Sequence, residues 1–544
     1  MKPIATDIYT FANLVEGGYS YVDKTAHLHE LIAGRQGKQF FMARPRRFGK
    51  SLTVSTLQAI FEVRRELFKG LAIDRSDYDW KKFPVIRLDM STTPAETVEE
   101  FREKINELIR ENQRRLGLSF ERSPSADVNF KRLIEEAAAS TEAGQVVLLV
   151  DEYDKPLLGH LGRETVESFR TALKSFYSVI KATEGVQRFT FITGVSKFSK
   201  VSIFSDLNNL TDLTMDAKMA TLCGYTHEEV KANFSEHLVA LGKANHLTTD
   251  EAFAHVLKMY DGYRFEENAP RVVNPVSLGR CLNDLKFKSY WYETGTPTFL
   301  VEMLKKRPVD ISDVEVPESA LGTYEPANPS LIPLLYQTGY LTIKDFKVYG
   351  ETRCYRLGFP NDEVASAFSE SLAHVYAGAD DPTYDRVKIA CWKALDRHDL
   401  DDFFDNLKTI FASIPYDLTG RQNEQTWQAI LVVIMRFLGL KVIPESRTNK
   451  GRIDFVIEFK TEIYVVEMKL DRTAQEALDQ IRKSDYAAKY RASGKRLTLL
   501  GINFSSKTRE IDDWLVEEAG SKEARVQISS ATNRLVGARE RPLD

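Results

Sequence analysis

One group of residues has the types and spacing that phosphate chemistry needs. The segment RPRRFGKS, residues 44–51, follows the apolar run Gln39–Ala43 and opens the helical stretch Leu52–Val63. Strand, loop and helix in this order form the context of a phosphate-binding loop. Backbone N–H groups at the helix start would cradle phosphates, Lys50 would reach the β- and γ-phosphates, and the Ser51 hydroxyl would bind Mg²⁺.

The residues expected to contact a nucleotide are Arg44, Pro45, Arg46, Arg47, Phe48, Gly49, Lys50, Ser51 and Leu52. Arg44 stands where the pattern GxxxxGK[ST] has glycine, a residue that tolerates positive φ. Arg44, Arg46 and Arg47 would contact phosphates directly or act as arginine fingers, and spacing cannot choose between these roles. A solvated basic loop is the plainer alternative.

Two carboxylates end a second apolar run. In VVLLVDEYD, residues 146–154, Asp151 and Glu152 follow five apolar residues. Open α/β sheets place their ligands at the carboxyl ends of strands. Asp151 would hold Mg²⁺ and Glu152 would polarise the attacking water, although adjacent acids can also simply end a strand at the solvent.

A second group of residues suits hydrolysis of a phosphodiester. Strands predicted at 452–459 and 462–470 carry Asp454, Glu467 and Lys469, and the last two share a face because side chains alternate along a strand. Glu424 lies on the packed face of a helix predicted at 423–438. Carboxylates suit Mg²⁺ or Mn²⁺. Asp454, Glu467 and Glu424 would bind the metal, and Lys469 would position the nucleophile. An exposed, ion-paired strand is the alternative.

The surrounding pattern shows which elements must position these residues. Residues 1–225 alternate short apolar runs with amphipathic helical stretches, as in a mostly parallel α/β sheet, with strands expected at 39–43, 83–89, 145–150 and 188–193. Helices are expected over 226–306, and a proline-containing loop over 308–329. A helix at 330–340 followed by a hairpin at 341–357 has the outline of a winged helix or of a generic helical lid. Helices then fill 362–411, and an α-β-β-β-α-β pattern begins near residue 421.

Composition sets the outer limits. The chain has 544 residues, of which 43% are hydrophobic and 28% charged, with a net charge of −4. These values exclude a disordered chain and a globally basic nucleic-acid coat, but not a local basic groove. Four separated cysteines argue against a zinc ribbon or a disulfide scaffold. Without a signal-like N-terminus or a membrane-length apolar stretch, we expect a cytoplasmic protein that does not enter membranes.

Several segments resemble one known family. They are YVDKTAHLHELI, MARPRRFGKS, LLVDEYDKPL, FITGVSKFS, NNLTDLTMD, YDGYRF and ETGTPTFL. They resemble the bacterial AAA-ATPase-like family that carries a C-terminal PD-(D/E)XK nuclease domain, over nearly the whole chain. In that family an arginine-rich loop replaces the first Walker A glycine. The resemblance also suggests that Gln480 orients Lys469 or a phosphate.

The resemblance implies an α/β fold in four parts. These are a P-loop NTPase core of the additional-catalytic-glutamate class at 1–225, a helical lid at 226–306, a linker with winged-helix-like and helical regions at 307–420, and a restriction-endonuclease-like domain at 421–544.

The predicted function joins ATP hydrolysis to a metal-dependent nuclease, with DNA favoured over RNA. A role in defence against foreign DNA or in the biology of mobile elements follows only by analogy. One rival is a nucleotide-dependent switch whose C-terminal domain binds nucleic acid or a partner without cutting. Another is a nuclease whose N-terminal domain binds a nucleotide without hydrolysing it. Assembly into a homo-oligomer is left open.

Overall fold

The computed structural model describes most of the chain and divides it into two compact units. Unit 1 comprises residues 1–293 and 314–364, and unit 2 comprises residues 294–313 and 365–544. The described residues are 1–33, 37–197, 209–291, 311, 314–322, 330–377, 383–412, 424–443, 454–484, 490, 493–508, 510–519 and 527–528. Within these ranges no helix is both long and apolar enough to cross a membrane.

A parallel sheet forms the centre of unit 1. Its described strands are β1 Gln39–Ala43, β2 Val85–Asp89, β3 Val146–Asp151, β4 Gln187–Gly194 and β5 Thr211–Asp212. They lie in the order β2-β3-β4-β1-β5, and neighbouring strands are parallel. β1 and β3 are buried along their whole length, which explains their almost continuous apolar sequences. The four strands predicted for this region are confirmed to within two residues at each end.

Helices pack around this sheet and follow it in the chain. Those described in unit 1 before residue 291 are α1 Phe11–Glu16, α2 Thr25–Ile32, α3 Lys50–Phe61, α4 Val98–Arg115, α5 Ala126–Ala139, α6 Lys155–Leu158, α7 Val166–Ala182, α8 His227–Ala244, α9 Thr249–Tyr260 and α10 Pro275–Asp284. The last three occupy the region predicted to be helical. Capping boxes begin two of them, with Thr226 and Glu229 at α8 and Thr248 and Glu251 at α9.

A small antiparallel sheet follows in the same unit. Its elements are β6 Val314–Pro317, α11 Glu318–Gly322, α12 Leu331–Thr338, β7 Thr342–Tyr349 and β8 Thr352–Gly358. The helix and hairpin predicted at 330–357 are confirmed. The loop predicted over 308–329 is wrong for residues 314–322, because β6 pairs with β8 and obtains its backbone partners from a distant part of the chain.

Unit 2 is built on a second, mixed sheet. Helix α13 Asp362–Ala377 contains the boundary between the units, and α14 Thr383–Asp396, α15 Leu400–Ala412, α16 Glu424–Phe437 and α17 Ala474–Ser484 follow. The described strands are β9 Lys441–Ile443, β10 Phe455–Phe459, β11 Glu462–Leu470, β12 Arg496–Ser505, β13 Glu510–Glu518 and β14 Gln527–Ile528. Their spatial order is β14-β13-β12-β11-β10-β9, and β11 and β12 are parallel. The predicted α-β-β-β-α-β order is present.

The two faces of this sheet bury different helices. Tyr464, Val466 and Met468 of β11 belong to the core that contains α16 and also α14 and α15. Ile463 and Val465 of the same strand pack with α17 on the opposite face. The alternation therefore assigns Glu467 and Lys469 to the α17 side, as predicted.

Candidate active sites

In the predicted phosphate loop, residues 44–51, the Lys50 side chain binds the backbone of the same loop. Gly49, with φ 94°, begins α3, and Arg47 also has a positive φ of 69°. The buried Lys50 Nζ donates to the carbonyl oxygens of Arg44 and Pro45, both at 3.0 Å. This folds residues 44–49 over the start of α3, so that the first N–H groups of the helix and the Lys50 ammonium lie in one small region suited to an anion.

Arg44 holds the loop against the segment that follows β5. The buried Arg44 guanidinium donates to the carbonyls of Ala43, Thr214 and Met219 and lies 4.2 Å from the centroid of the Phe265 ring. This arrangement assigns Arg44 a supporting position, in place of the glycine of the usual loop.

The remaining loop residues divide between packing and the cleft. The Pro45 ring lies so close to Gly339 that a Cβ at that glycine would meet it at 2.7 Å, and Phe48 is buried beside the rings of Tyr263 and Phe265. Arg46 is partly buried. Arg47 and Leu52 line the cleft described below.

The predicted acids of β3 lie next to this loop. Ser51 and the buried Asp151 share a side-chain hydrogen bond, and Thr193 Oγ1 donates to Asp151 Oδ1 at 3.0 Å. Burial raises the pKa of Asp151, while the Ser51 hydrogen bond and the Lys50 charge oppose that rise. Glu152 adopts a left-handed φ of 50° and lines the same cleft as Lys50 and Ser51. The two predicted acids and the phosphate loop are therefore neighbours.

A third acid of the VDEYD segment was missed by the sequence reasoning. Asp154 is fully buried, and its carboxylate accepts hydrogen bonds from the N–H groups of Val195 and Ser196, at 3.1 and 2.6 Å. Burial raises the pKa of Asp154 to about 6. The Asp154 carboxylate fixes the end of β4 against the end of β3. The sequence signal that could have indicated this residue is the presence of a third acid in VDEYD.

A cleft opens in front of the loop. Besides Arg47–Thr53 and Glu152, its walls include the N-terminal segment 4–9 and apolar or aromatic side chains. Those apolar walls comprise Leu14, Val22, Leu222, Tyr225 and Phe234. The lining combines the polar Lys50 and Ser51 with aromatic side chains such as Tyr225, which suits a molecule that carries both a phosphate chain and a flat ring.

In unit 2, four predicted residues meet at one end of the sheet, where β10 begins and β11 ends. Helix α16 supplies Glu424, the chain just before β10 supplies Asp454, and β11 supplies Glu467 and Lys469. Asp454 precedes the antiparallel pair Phe455–Val466 and therefore lies opposite Glu467. Packing of Trp427 against Phe504, with ring centroids 4.1 Å apart, fixes the first turn of α16 beside the strands.

Hydrogen bonds hold the Asp454 carboxylate from two sides. Its Oδ2 accepts from the Met468 N–H at 2.6 Å, and its Oδ1 accepts from Gln428 Nε2 at 2.6 Å. Glu424 Oε2 accepts from the Leu470 N–H at 3.3 Å. The sequence reasoning missed Gln428, although it lies four residues after Glu424 and therefore on the same side of α16.

The carboxylates at this site repel one another, and this repulsion changes their pKa values. Burial and the neighbouring Glu467 raise the pKa of Asp454, and Glu424 adds to the rise. Burial likewise raises the pKa of Glu467, although Lys469 Nζ lies 3.0 Å from Glu467 Oε1 and favours its charged form. Three carboxylates with one lysine leave an excess of negative charge, so that a cation would stabilise the ionised site.

The donor set fits a hard divalent cation. Glu467 Oε2 is buried and makes no hydrogen bond to a described residue. Among the residues whose positions are described, no group of three histidine, cysteine, aspartate or glutamate side chains is arranged to hold one metal ion. Asp454 and Glu467 alone match the one or two carboxylates with which proteins commonly bind Mg²⁺, its other ligands being waters and substrate oxygens.

The structure leaves some predicted contacts unmade. Gln480 is partly buried on α17, and among the described residues its amide makes no hydrogen bond to Lys469. The sequence also offers Arg447, Lys450 and Arg452, near the start of the strand predicted at 452–459, as candidates to contact nucleic-acid phosphates. These three positions lie outside the described residues.

Comparison with known proteins identifies the two parts of the chain. A family model described as "Predicted AAA-ATPase" matches residues 4–204, and one described as "PD-(D/E)XK nuclease superfamily" matches residues 422–514. A parallel sheet with a phosphate loop and a mixed sheet with clustered carboxylates are the folds found in those ranges. The class is therefore an AAA-ATPase-like core joined to a PD-(D/E)XK nuclease superfamily domain.

One relative matches this chain over nearly its whole length. The chain is 37% identical over 533 residues to a protein of Azotobacter chroococcum mcd 1 described as "Uncharacterized protein in vnfD 5'region", which covers 95% of this chain and 99% of the relative. The chain belongs to this family of AAA-ATPase-like proteins with a C-terminal PD-(D/E)XK domain.

Proposed function

We propose that this protein binds and hydrolyses ATP and uses it to control a metal-dependent nuclease that hydrolyses phosphodiester bonds of DNA. The observation that carries the proposal is the meeting of Asp454, Glu467 and Lys469 at one end of the sheet. Glu424 lies beside them, and Glu467 Oε2 is buried without a hydrogen bond to any residue that the structure describes. Burying several charges in this way is costly unless they bind something.

For the ATPase half, the chain's own residues divide the work. Lys50 and the first N–H groups of α3 would bind the β- and γ-phosphates once Lys50 exchanges the loop carbonyls for phosphate oxygens. Ser51 and Asp151 would hold Mg²⁺, which offsets phosphate charge when bound. Glu152 would orient the attacking water. The aromatic side chains of Tyr225 and Phe234, whose ring centroids lie 5.7 Å apart in the wall of the cleft, would take the base.

The strand order supports this division. β4 lies between β1, which carries the phosphate loop, and β3, which carries the acids. That is the arrangement expected of the additional-catalytic-glutamate class. The strand between them ends at Gly194, and the hydroxyl of the preceding Thr193 donates to Asp151. A change at the phosphates would therefore reach the end of β4 through Asp151.

For the nuclease half, Asp454 and Glu467 would hold Mg²⁺ or Mn²⁺, with Glu424 binding directly or through water. The metal, when bound, lowers the pKa of a water ligand and neutralises charge on the phosphate. Lys469 would position the attacking water and stabilise developing negative charge. A role in defence against foreign DNA or in mobile-element biology would follow from such coupled activities, by analogy.

A cleavage panel tests the nuclease half. Purified full-length protein is incubated with Mg²⁺ or Mn²⁺, with and without ATP, on linear, circular and single-stranded DNA and on RNA. We expect cleavage of DNA that is lost in Lys469→Ala and retained in Lys495→Ala, a lysine that instead pairs with Glu458. Absence of cleavage on every substrate would contradict the nuclease half and favour a domain that binds without cutting.

A further inference from the structure

Gln428 is an uncharged residue that donates a hydrogen bond to a carboxylate of the predicted metal site. Its Nε2 donates to Asp454 Oδ1 at 2.6 Å. The other oxygen of the same carboxylate accepts from the Met468 N–H, also at 2.6 Å. With one hydrogen bond from the helix side and one from the strand side, rotation of the Asp454 carboxylate about its Cβ–Cγ bond is restricted.

The helix that carries Gln428 is itself well anchored. Trp427, Ile430 and Leu431 are buried in the core of unit 2, and the Trp427 ring stacks on Phe504. Glu424, one turn earlier, accepts from the Leu470 N–H at the end of β11. Helix α16 therefore contacts both the residue before β10 and the end of β11, and Gln428 makes the contact to the former.

We propose that Gln428 is a positioning residue that fixes the Asp454 carboxylate for divalent-metal binding; this inference rests on the proposed metal site. An amide donor suits this purpose because it holds an oxygen without neutralising the carboxylate. A lysine or arginine at this position would compete with the cation for the same charge. Each carboxylate oxygen has two lone pairs, so Oδ1 accepts from Gln428 and retains one for the metal.

Metal ligands are commonly held by such outer partners, whose loss lowers metal affinity by about 10- to 100-fold. The test measures Mn²⁺ binding to the full-length protein by electron paramagnetic resonance, with no nucleotide present. Gln428→Met removes the donor and keeps a side chain of similar length. Gln475→Met is the matched control, because Gln475 donates to Asp479 at 2.8 Å on an exposed part of α17. Asp454→Ala identifies the Mn²⁺ bound at this site.

We expect Gln428→Met to weaken the Asp454-dependent Mn²⁺ binding by about 10-fold. Gln475→Met should bind like wild type, and circular dichroism melting should show all variants folded. In cleavage assays, raised Mn²⁺ should restore the rate of Gln428→Met, whereas a merely structural defect would persist at all metal concentrations. Wild-type affinity in Gln428→Met would overturn the inference.

The outcomes separate this inference from the proposed function. If wild type binds Mn²⁺ through Asp454 but cuts no nucleic acid, the nuclease proposal fails, and a weaker Gln428→Met still supports the positioning role. If wild type shows no Asp454-dependent Mn²⁺ binding, the inference is overturned together with the metal site.

Discussion

Glu152 combines a carboxylate in the cleft in front of the predicted phosphate loop with a backbone conformation that is unusual for its residue type. Its φ of 50° lies in the left-handed region, which costs a non-glycine residue about 1 kcal/mol or more. Its neighbours Asp151 and Tyr153 are buried, and the Tyr153 N–H donates to the Thr193 carbonyl at 2.9 Å. These contacts hold the backbone in this conformation, and in this conformation the Glu152 side chain lines the cleft.

Replacing this carboxylate should separate ATP binding from turnover. Glu152→Gln keeps the size of the side chain but removes its ability to polarise water, so we expect nearly normal ATP affinity with phosphate release reduced by about 100-fold or more. Nucleotide binding and phosphate release are measured on the same preparation. The exposed Glu142→Gln is the control. Normal phosphate release by Glu152→Gln would mean that another group activates the water.

Glu363 is a second carboxylate with an unusual environment. It is fully buried, and its Oε1 accepts from the N–H groups of Tyr290 and Trp291 at 2.6 and 2.9 Å. Burial raises the pKa of Glu363 to about 7, although these hydrogen bonds and Arg47 of the phosphate loop oppose the rise. The folded protein therefore binds this proton more tightly than the unfolded chain does.

The stability of the protein should depend on pH through Glu363. Because the folded-state pKa is the higher one, the free energy of unfolding should fall as pH rises from about 4.5 to about 7, by up to about 3 kcal/mol through this group. Glu363→Gln should lack this contribution, so its stability relative to wild type should increase between pH 5 and pH 8 in urea unfolding. A constant difference between the two proteins over that range would contradict the prediction.

At the residue scale, spacing predicted which acids and bases meet, but not how they are held. Alternation along β11 was enough to put Glu467 and Lys469 on one face. The direction of the Arg44 guanidinium and the Gln428–Asp454 hydrogen bond depend on partners 170 and 26 residues away. Local sequence cannot specify such partners. Spacing therefore left the role of Arg44 open between phosphate contact, an arginine finger and a solvated basic loop, and it did not reveal Gln428.

Among the elements, the end of β4 packs closely against the residues that follow β3. A Cβ on Gly194 would lie 2.5 Å from the Tyr153 ring and 2.7 Å from Asp154 Oδ1. Tyr153 in turn donates from its hydroxyl to the Ser196 carbonyl at 3.0 Å. Glycine at this position lets β4 approach β3 closely enough for Thr193 to reach Asp151.

Adding one methyl group there should disturb both stability and turnover. We expect Gly194→Ala to destabilise the protein by about 1–3 kcal/mol, since neither the Tyr153 ring nor Asp154 has room to move freely. ATP hydrolysis should fall as Asp151 and Glu152 shift. Gly185→Ala is the matched control, because a Cβ there meets nothing within 4 Å. Thermal melting and phosphate release check both effects, and equal behaviour of the two variants would contradict the account.

Elements with strong local patterns were predicted well, and those that depend on distant pairing were not. β1 and β11 were predicted with the bounds that the structure gives. β13 was not predicted, since a register shift at Asn503 and Phe504 interrupts its pairing with β12 and its Asp512-Asp513 pair lowers its strand propensity. β6 was missed because its partner β8 lies some 40 residues further along the chain.

On the scale of the whole molecule, the sequence predicted two kinds of site in one chain, and the family models match the corresponding ranges. It was harder to predict from the sequence which domain α14 and α15 belong to. Their apolar faces belong to the core that contains α16, yet an amphipathic helix does not reveal which core it joins. The predicted boundary near residue 421 falls between helices that pack in that one core.

The central claim is that one chain contains an ATPase site and a nuclease site whose catalytic residues are distinct. The most direct test compares wild type, Lys50→Ala and Asp454→Ala for phosphate release and DNA cleavage in the same Mg²⁺ and ATP mixture. We predict that wild type hydrolyses ATP and cleaves DNA. Asp454→Ala should hydrolyse ATP but leave DNA intact. Lys50→Ala should release no phosphate, and its rate of DNA cleavage should differ from that of wild type. Cleavage by Asp454→Ala at the wild-type rate, or loss of ATP hydrolysis in that variant, would contradict this account.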